Sequence, residues 1–269
     1  MKLSLKWLTT LTFMLTAIAS QSQTTKFTVA SWNIGHFALG QQAETKIQPS
    51  EATERQADYR RAIDSLKADI IAVSEYNPEF VMSTADAPAI MAREAVFARY
   101  ADAKMGPKYN YNCNCIFSNG FTTSNEKVMN YAEVSQKRYY LCVTFNIGGK
   151  DVKVVSTHLD CVAGYEGLQL RTGQIRELIE SFKDEPFVIM CGDWNVEKTE
   201  EYDPFLKAGY RMANHGERGD LTTWPATKPK DCLDNIIVKG FDLENTQVVS
   251  LPTLSDHCVI TCDLSLTKQ

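Results

Sequence analysis

The sequence predicts an α/β (α+β) protein built as a four-layer sandwich of two mixed β-sheets flanked by helices. Segments of strand and helix character alternate along the chain without a Pro/Gly-rich linker or an internal repeat. The strands RYYLCVTFNI and KVVSTHL are separated by Gly148-Gly149, which indicates an antiparallel hairpin. Other successive strands are separated by a helix, which indicates crossovers, and this mixture favours two mixed sheets over one parallel sheet.

The first elements form a strand, helix, strand unit. FTVASWN, residues 27–33, is an apolar run typical of a buried strand, and residues 53–67 place apolar side chains at helical spacing. ADIIAVSEY, residues 68–76, is a second buried strand. A helical stretch near 86–99 and a short strand at CIFSN follow.

The second half of the chain continues this alternation after the hairpin. Apolar residues at helical spacing predict a helix over 168–182, which leads into the strand FVIMC at 187–191. A further helix near 200–208 and a long polar loop over 211–231 come next. The chain then closes with three predicted strands, LDNIIV, TQVVSL and HCVITCDLSL.

Length and composition favour one large domain. The chain has 269 residues, of which 44% are hydrophobic, and this is enough to form a substantial core. Residues 1–23 are predicted to be a secretory signal peptide, because Lys2 and Lys6 precede an apolar run that ends in Ala17-Ile18-Ala19. The run contains several Thr and is shorter than the roughly 20 apolar residues of a spanning helix, so no stable membrane span is expected. The domain then covers 24–269, and an exported, periplasmic or extracellular protein is expected.

The charge of the mature chain argues against non-specific binding to nucleic acid. Loss of Lys2 and Lys6 with no acidic residue changes the formal net charge from −5 to −7. An acidic protein repels a phosphate backbone, although the average would not reveal a local basic patch.

The eight cysteines permit disulfides in an exported protein, but their spacing does not resemble a disulfide framework or a zinc site. Several lie inside apolar strand patterns. For Cys191, in FVIMC, we favour a buried thiol.

Polar residues cluster where the predicted strands begin or end. They are carboxylates, amides and imidazoles, which act as hard-metal ligands, phosphate contacts and proton-transfer groups. Strand ends are rigid supports on which sites are commonly built. The candidates are Asn33, Glu75, His158, Asp193, Asn195, Asp234, Asp256 and His257.

Each of these residues also has an ordinary structural explanation. Asn33 or Asp193 alone could cap a turn, Glu75 could be a solvated strand end, and His158 could be a core imidazole bonded to a carbonyl. For His36 and His215, which lie in predicted loops, the structural explanation is preferred because a lone histidine needs partners to act.

Taken together, the candidates resemble the metal-dependent endonuclease/exonuclease/phosphatase superfamily with its DNase I-like fold. The resemblance runs from about residue 26 to 264, and its motifs occur in the family's order. They are SWN at 31–33, DIIAVSE at 69–75, CNCIFS at 113–118, STHL at 156–159, GDWN at 192–195, TTWP and LDNIIV within 222–238, and SDH at 255–257.

The resemblance implies hydrolysis of a phosphate ester by water with one or two divalent cations, Mg²⁺ or Mn²⁺. Glu75 would be the principal metal ligand, with Asn33 and Asp256 close to the same ion. Carboxylate and amide oxygens suit such a hard cation. No protein partner is implied.

The same resemblance assigns proton-transfer and phosphate-binding roles. Asp193 would orient or deprotonate the attacking water, and Asn195 would hold a phosphoryl oxygen. His257 would take the proton of the water or bind the phosphate, with Asp234 orienting its ring. His158 would act as a general acid or phosphate ligand, as in the nuclease and sphingomyelinase branches, and Asn114 would contact phosphate.

The sequence leaves the substrate open among nucleic acid, a phospholipid headgroup such as sphingomyelin or an inositol phosphate, and a small phosphate ester. The chain departs from the family's usual pattern at Ser74, Cys232 and Asn235, which puts substrate contacts near the second sheet in doubt. The alternative from another class is a non-catalytic binding protein that retains the fold. The complete set of costly polar groups argues against it.

Overall fold

The fold is known from a computed structural model that describes residues 25–37, 49–79, 91–108, 113–214 and 221–266. The predicted signal peptide lies outside the described residues, as does His215. The helices are α1 (Pro49–Leu66), α2 (Ala92–Ala95), α3 (Gly164–Ser181) and α4 (Asp203–Lys207).

Strands account for most of the remaining regular structure in the described residues. They are β1 (Lys26–Asn33), β2 (Ile70–Tyr76), β3 (Asp102–Met105), β4 (Cys113–Ser118), β5 (Thr122–Asn130), β6 (Tyr139–Ile147), β7 (Lys150–His158), β8 (Val188–Asp193), β9 (Arg211–Met212), β10 (Asp234–Lys239), β11 (Phe241–Val249) and β12 (Val259–Leu266).

The strands form two six-stranded sheets. The first has the order β11-β12-β1-β2-β4-β3, and the second has the order β5-β6-β7-β8-β10-β9. Each sheet contains one central parallel pair, β1 with β2 and β7 with β8, among antiparallel neighbours. The helices α1 and α3 connect these pairs, so the carboxyl ends of both strands of a pair lie at the same sheet edge.

Apolar side chains fill three layers, which is why the central strands are apolar on both faces. Phe27, Val29, Leu141 and Ile189 belong to the layer between the sheets. Two further layers lie between the first sheet and α1 and between the second sheet and α3. The four-layer architecture of two mixed sheets with flanking helices is therefore confirmed.

Local predictions were correct for the central strands and wrong for several peripheral segments. The helix predicted near 86–99 is only α2 in the described residues, because Val96, Phe97 and Tyr100 enter the core from turns. The strands β3, β5 and β9 were missed. β5 is an almost wholly exposed edge strand and so lacks apolar alternation.

All eight cysteines are free thiols, and seven of them, including Cys191, are buried. The buried-thiol interpretation of Cys191 is confirmed. Among the described residues no helix is long and apolar enough to cross a membrane.

Candidate functional site

The two sheets meet at one edge through a pair of buried polar side chains. Asn33 ends β1 in the first sheet, and Asp193 ends β8 in the second. Asn33 Nδ2 donates a 2.9 Å hydrogen bond to Asp193 Oδ2, and both residues are 2% exposed. The edge where the parallel strands end is therefore where the predicted residues of both sheets come together.

Asp193 lies at the centre of this cluster. His158 Nε2 is 3.4 Å and His257 Nε2 is 3.7 Å from Asp193 Oδ2. His158 is adjacent because β7 runs parallel to β8 with His158 paired to Asp193. The other carboxylate oxygen of Asp193 accepts the backbone N–H of Asn195 at 3.0 Å.

His257 is held from behind by Asp234. The register of β10 on β8 pairs Asp234 with Asp193, which brings the two carboxylates side by side. Asp234 Oδ2 is 2.9 Å from His257 Nδ1, whereas Asp234 Oδ1 is buried and has no hydrogen-bond partner among the described residues. Ser255 Oγ accepts the His257 N–H at 3.0 Å and donates to the Asn33 carbonyl at 2.7 Å, which anchors the SDH motif to β1.

Burial and neighbouring charges separate the proton affinities of these groups. Burial raises the pKa of Asp193 to about 7, helped by the carboxylates of Asp234 and Glu75 and opposed by His257. Burial lowers the pKa of His257, but Asp234 and Asp193 more than offset this effect, so the pKa is raised to about 10. The pKa of His158 is held well below its usual value by burial and by the charge of Arg138.

Glu75 lies on the first-sheet side of the cluster. One of its carboxylate oxygens is 3.1 Å from His36 Nε2, and the other is 3.9 Å from His158 Nδ1. Glu75 adopts a φ of 51° at a bulge between β2 and β4. A non-glycine residue rarely adopts this conformation, and such backbone strain is concentrated at functional sites.

The other predicted residues contact the edge of the cluster in different ways. Asp256 is exposed, and its Oδ2 accepts a 3.3 Å hydrogen bond from Trp224 Nε1. Asn195, with a φ of 51°, donates its amide Nδ2 to the Leu159 carbonyl at 3.1 Å.

Asn114, on β4 of the first sheet, forms its hydrogen bonds with Tyr139, on β6 of the second sheet. Its Nδ2 donates to the Tyr139 carbonyl at 2.8 Å, and its backbone N–H donates to Tyr139 Oη at 2.8 Å. Its Oδ1 is buried and has no hydrogen-bond partner in the described part of the chain. These contacts place Asn114 beside β6, and none of them joins it to the Asp193 cluster.

Sequence reasoning missed two residues of the site. His36 was given a structural explanation, but its Nε2 lies against Glu75; its position three residues after Asn33 in SWNIGH was the available signal. Arg138 carried no signal, since an arginine before a strand is usually exposed. It is 7% exposed, and it lies two residues before Tyr140, which pairs with Thr157 near the end of β7.

The cluster offers hard oxygen ligands for a divalent cation. Asp193, Asp234 and His257 can each present one ligand atom within 4.8 Å of the others. Glu75 and Asn33 adjoin this group through His158 and Asp193. Asp234 Oδ1 has no partner among the described residues, and the carboxylates of Asp234 and Glu75 add to the effect of burial on the pKa of Asp193, so a cation would relieve the repulsion between these groups.

Solved structures with the same fold come from several organisms. A humanized D. rerio TDP2 with 14 mutations has a TM-score of 0.68 and 17% identity, covering 89% of this chain and 99% of that chain. An endonuclease/exonuclease/phosphatase family protein from Bacteroides thetaiotaomicron has a TM-score of 0.68 and 17% identity, covering 91% and 100%. A Beutenbergia cavernae endonuclease/exonuclease/phosphatase has a TM-score of 0.68 and 19% identity, covering 90% and 72%.

At these identities the likeness establishes the DNase I-like fold alone. Comparison with curated protein sequences finds no match. The sequence profile of the Endonuclease/Exonuclease/phosphatase family matches residues 30–257, which contain the second half of β1, all of β2, β7 and β8, and all the candidate residues named above. This chain therefore belongs to the endonuclease/exonuclease/phosphatase family.

Proposed function

We propose that the protein is an exported, divalent-metal-dependent phosphoesterase that hydrolyses a phosphodiester or phosphomonoester by attack of water. Members of its family are commonly metal-dependent phosphoesterases. The observation that carries the proposal is the contact of Asp193 with two histidines whose pKa values are shifted in opposite directions. Pairs of titratable groups separated in this way are typical of acid-base sites.

The pKa shifts support different roles in proton transfer for Asp193, His257 and His158. Near neutral pH, Asp193 can accept a proton from water, because its pKa of about 7 is close to the pH of the reaction. His257 is protonated at that pH and is supported by Asp234, so it would bind a phosphoryl oxygen or donate a proton. His158, which burial keeps neutral, would donate or accept one hydrogen bond.

Glu75, Asn33 and Asp256 would hold the cation on the first-sheet side, with Asp193 close by. A bound Mg²⁺ or Mn²⁺ would neutralise the charge that develops on the phosphoryl and leaving-group oxygens. Asn195 would hold a phosphoryl oxygen through its amide.

Arg138 would supply positive charge for an anionic substrate. Its Nε has no hydrogen-bond partner in the described part of the chain, and its charge acts on the Asp160 carboxylate, whose pKa it lowers. Its closest polar contact is the Cys161 sulfur, 3.6 Å from Nη2. A buried cation with so few partners is costly, and a phosphate oxygen is well suited to bind it.

The test is hydrolysis of bis-p-nitrophenyl phosphate by the purified mature chain with Mg²⁺. We expect Glu75→Gln and His257→Ala each to reduce kcat/KM by about 10² to 10⁴, the range for electrostatic and acid-base groups. Arg211→Gln, in the exposed Arg211–Asp242 pair, is the matched control and should retain the wild-type rate. Wild-type rates in both site variants would show that the catalytic assignment of these residues is wrong, whereas a wild-type chain that hydrolyses no phosphate ester would favour a binding protein.

Substrate class requires a separate screen with Mg²⁺ over plasmid DNA, RNA, sphingomyelin, inositol phosphates and sugar phosphates. Activity on sugar phosphates alone would exclude both the nuclease and the phospholipid options. Export is proposed from the N-terminal segment and predicts a mature chain that begins near residue 24, which intact-mass measurement of the secreted protein would detect.

A further inference from the structure

A buried ion pair, Arg171–Glu201, lies next to the candidate site, and neither of its residues was predicted to be part of that site. Arg171 projects from α3 and is 1% exposed, and Glu201 lies in the turn before α4. Arg171 Nε is 2.7 Å from Glu201 Oε2, and Arg171 Nη2 is 3.3 Å from Glu201 Oε1. The contact is bidentate, which fixes the orientation of both side chains.

The Arg171 side of the pair holds the loop that follows His158. Arg171 Nη1 donates to the Val162 carbonyl at 2.9 Å and to the Asp160 carbonyl at 3.5 Å. Gly167 makes this approach possible, because a Cβ at that position would lie 1.5 Å from the Val162 carbonyl oxygen. The helix is thus shaped to let the loop carbonyl reach the guanidinium.

The Glu201 side of the pair holds the loop that follows Asp193 and Asn195. Glu201 Oε1 accepts the backbone N–H groups of Glu197 at 2.8 Å and Lys198 at 3.2 Å. The two loops also touch directly, through Asn195 Nδ2 and the Leu159 carbonyl at 3.1 Å.

A buried ion pair is a poor device for stability, because the cost of desolvating both charges is close to their attraction. The pair instead constrains geometry, because the planar Arg171 guanidinium and the Glu201 carboxylate together bind four backbone groups on two separate loops. The strained φ of Asn195 needs such surrounding support to persist.

We propose that Arg171 and Glu201 are positioning residues that hold the loops after β7 and β8 in register and thereby orient the Asn195 amide toward the substrate. The proposal deepens the proposed phosphoesterase function and rests on it. A displacement of about 1 Å in a positioned group can cost up to about 100-fold in rate.

Arg171→Lys separates positioning from simple charge pairing. Lysine keeps a charge for Glu201 but cannot also bond the Val162 and Asp160 carbonyls with a planar fork. We expect kcat to fall about 10-fold or more with a smaller change in KM, at a temperature where circular dichroism shows the variant folded. Glu201→Gln, which keeps an acceptor for the loop N–H groups, should give a smaller loss. Arg211→Lys, in an exposed pair, should change neither value.

A second readout does not depend on catalysis. The side-chain ¹⁵N amide resonance of Asn195, assigned by its loss in Asn195→Ser, should shift in Arg171→Lys and Glu201→Gln and stay fixed in Arg211→Lys. An unchanged Asn195 resonance together with a lowered Tm would reduce the pair to a structural role and overturn the proposal. Wild-type protein without phosphoesterase activity would refute the proposed function, while the resonance would still decide the positioning.

Discussion

The polar groups around Asp193 and those around Arg171 are buried to a similar degree but are satisfied very differently. Each nitrogen of the Arg171 guanidinium has a hydrogen-bond acceptor. Asp160, also buried, accepts bonds from Ser135 and Val162. Around Asp193, by contrast, the buried atoms without a hydrogen-bond partner among the described residues include Asp234 Oδ1 and His158 Nδ1.

The difference in hydrogen bonding distinguishes residues that support the fold, around Arg171, from residues of the candidate site, around Asp193. A buried polar group that lacks a partner costs free energy, so it persists only where something else requires it. The Arg171 network is complete and holds loops in place. The Asp193 cluster is incomplete and carries shifted pKa values, which is typical of functional sites.

The two buried arginines allow the sharpest test of this contrast. Arg171→Gln would leave Glu201 as an unpaired buried charge, so we expect a loss of about 3–5 kcal/mol in the free energy of unfolding. Arg138→Gln removes a charge that also favours the ionised Asp160 carboxylate, so it should lower that free energy by less than Arg171→Gln does. Its KM for bis-p-nitrophenyl phosphate should rise about 10-fold or more. Urea denaturation measures the free energy of unfolding, and steady-state kinetics measures KM. An equal loss of stability in the two variants would contradict the proposed difference between Arg171 and Arg138.

Asp193 is predicted to destabilise the metal-free protein at high pH. Its pKa in the folded protein, about 7, is above the ordinary value of about 3.9, so folding favours the protonated carboxyl. The contribution of the protonated form to the free energy of unfolding is complete below pH 4 and is lost as the pH rises through 7. Asp193→Asn should therefore gain stability relative to the wild type as the pH rises from 4 to above 7.

Urea unfolding between pH 4 and 9 in a chelator tests this expectation. Asp242→Asn, in a half-exposed pair with Arg211, is the control and should change stability by less than about 0.5 kcal/mol. A wild type that is more stable than Asp193→Asn at pH 8 would show that the carboxylate is already satisfied.

Asp160 should show the opposite pH dependence with a smaller amplitude. Burial raises the pKa of Asp160 and is the largest single effect. The hydrogen bonds from Ser135 and Val162, together with the charge of Arg138, outweigh it and hold the pKa below its usual value. Its stabilising contribution is therefore present above about pH 4 and is lost as the pH falls through the folded pKa. Asp160→Asn should cost about 1 kcal/mol at pH 7 and less at pH 3. Thermal unfolding at both pH values measures this, and an equal cost at both would contradict the assignment.

Much of the fold could be predicted from local patterns, because burial on both faces imposes long apolar runs on the central strands. β1, β2, β7 and β8 were predicted within a few residues, and the polar residues at their ends were identified. The exposed edge strand β5 was not, since its pairing with β6 requires no apolar period. The helix near 86–99 was overextended, because aromatic residues of a core-facing turn resemble a helical face.

By itself, the sequence determined the succession of the central strands and long helices along the chain, the residue types at the strand ends and the family resemblance, because these depend on local periodicity and motif order. Only the tertiary structure decided that Asn33 touches Asp193 across 160 residues of chain, that His36 lies against Glu75, and that Arg138 is buried beside His158. Contact between sheets and loss of solvent depend on how distant segments pack, and no local pattern encodes them. The same packing sets the pKa values of Asp193 and His257, and with them the chemistry that the cluster can perform.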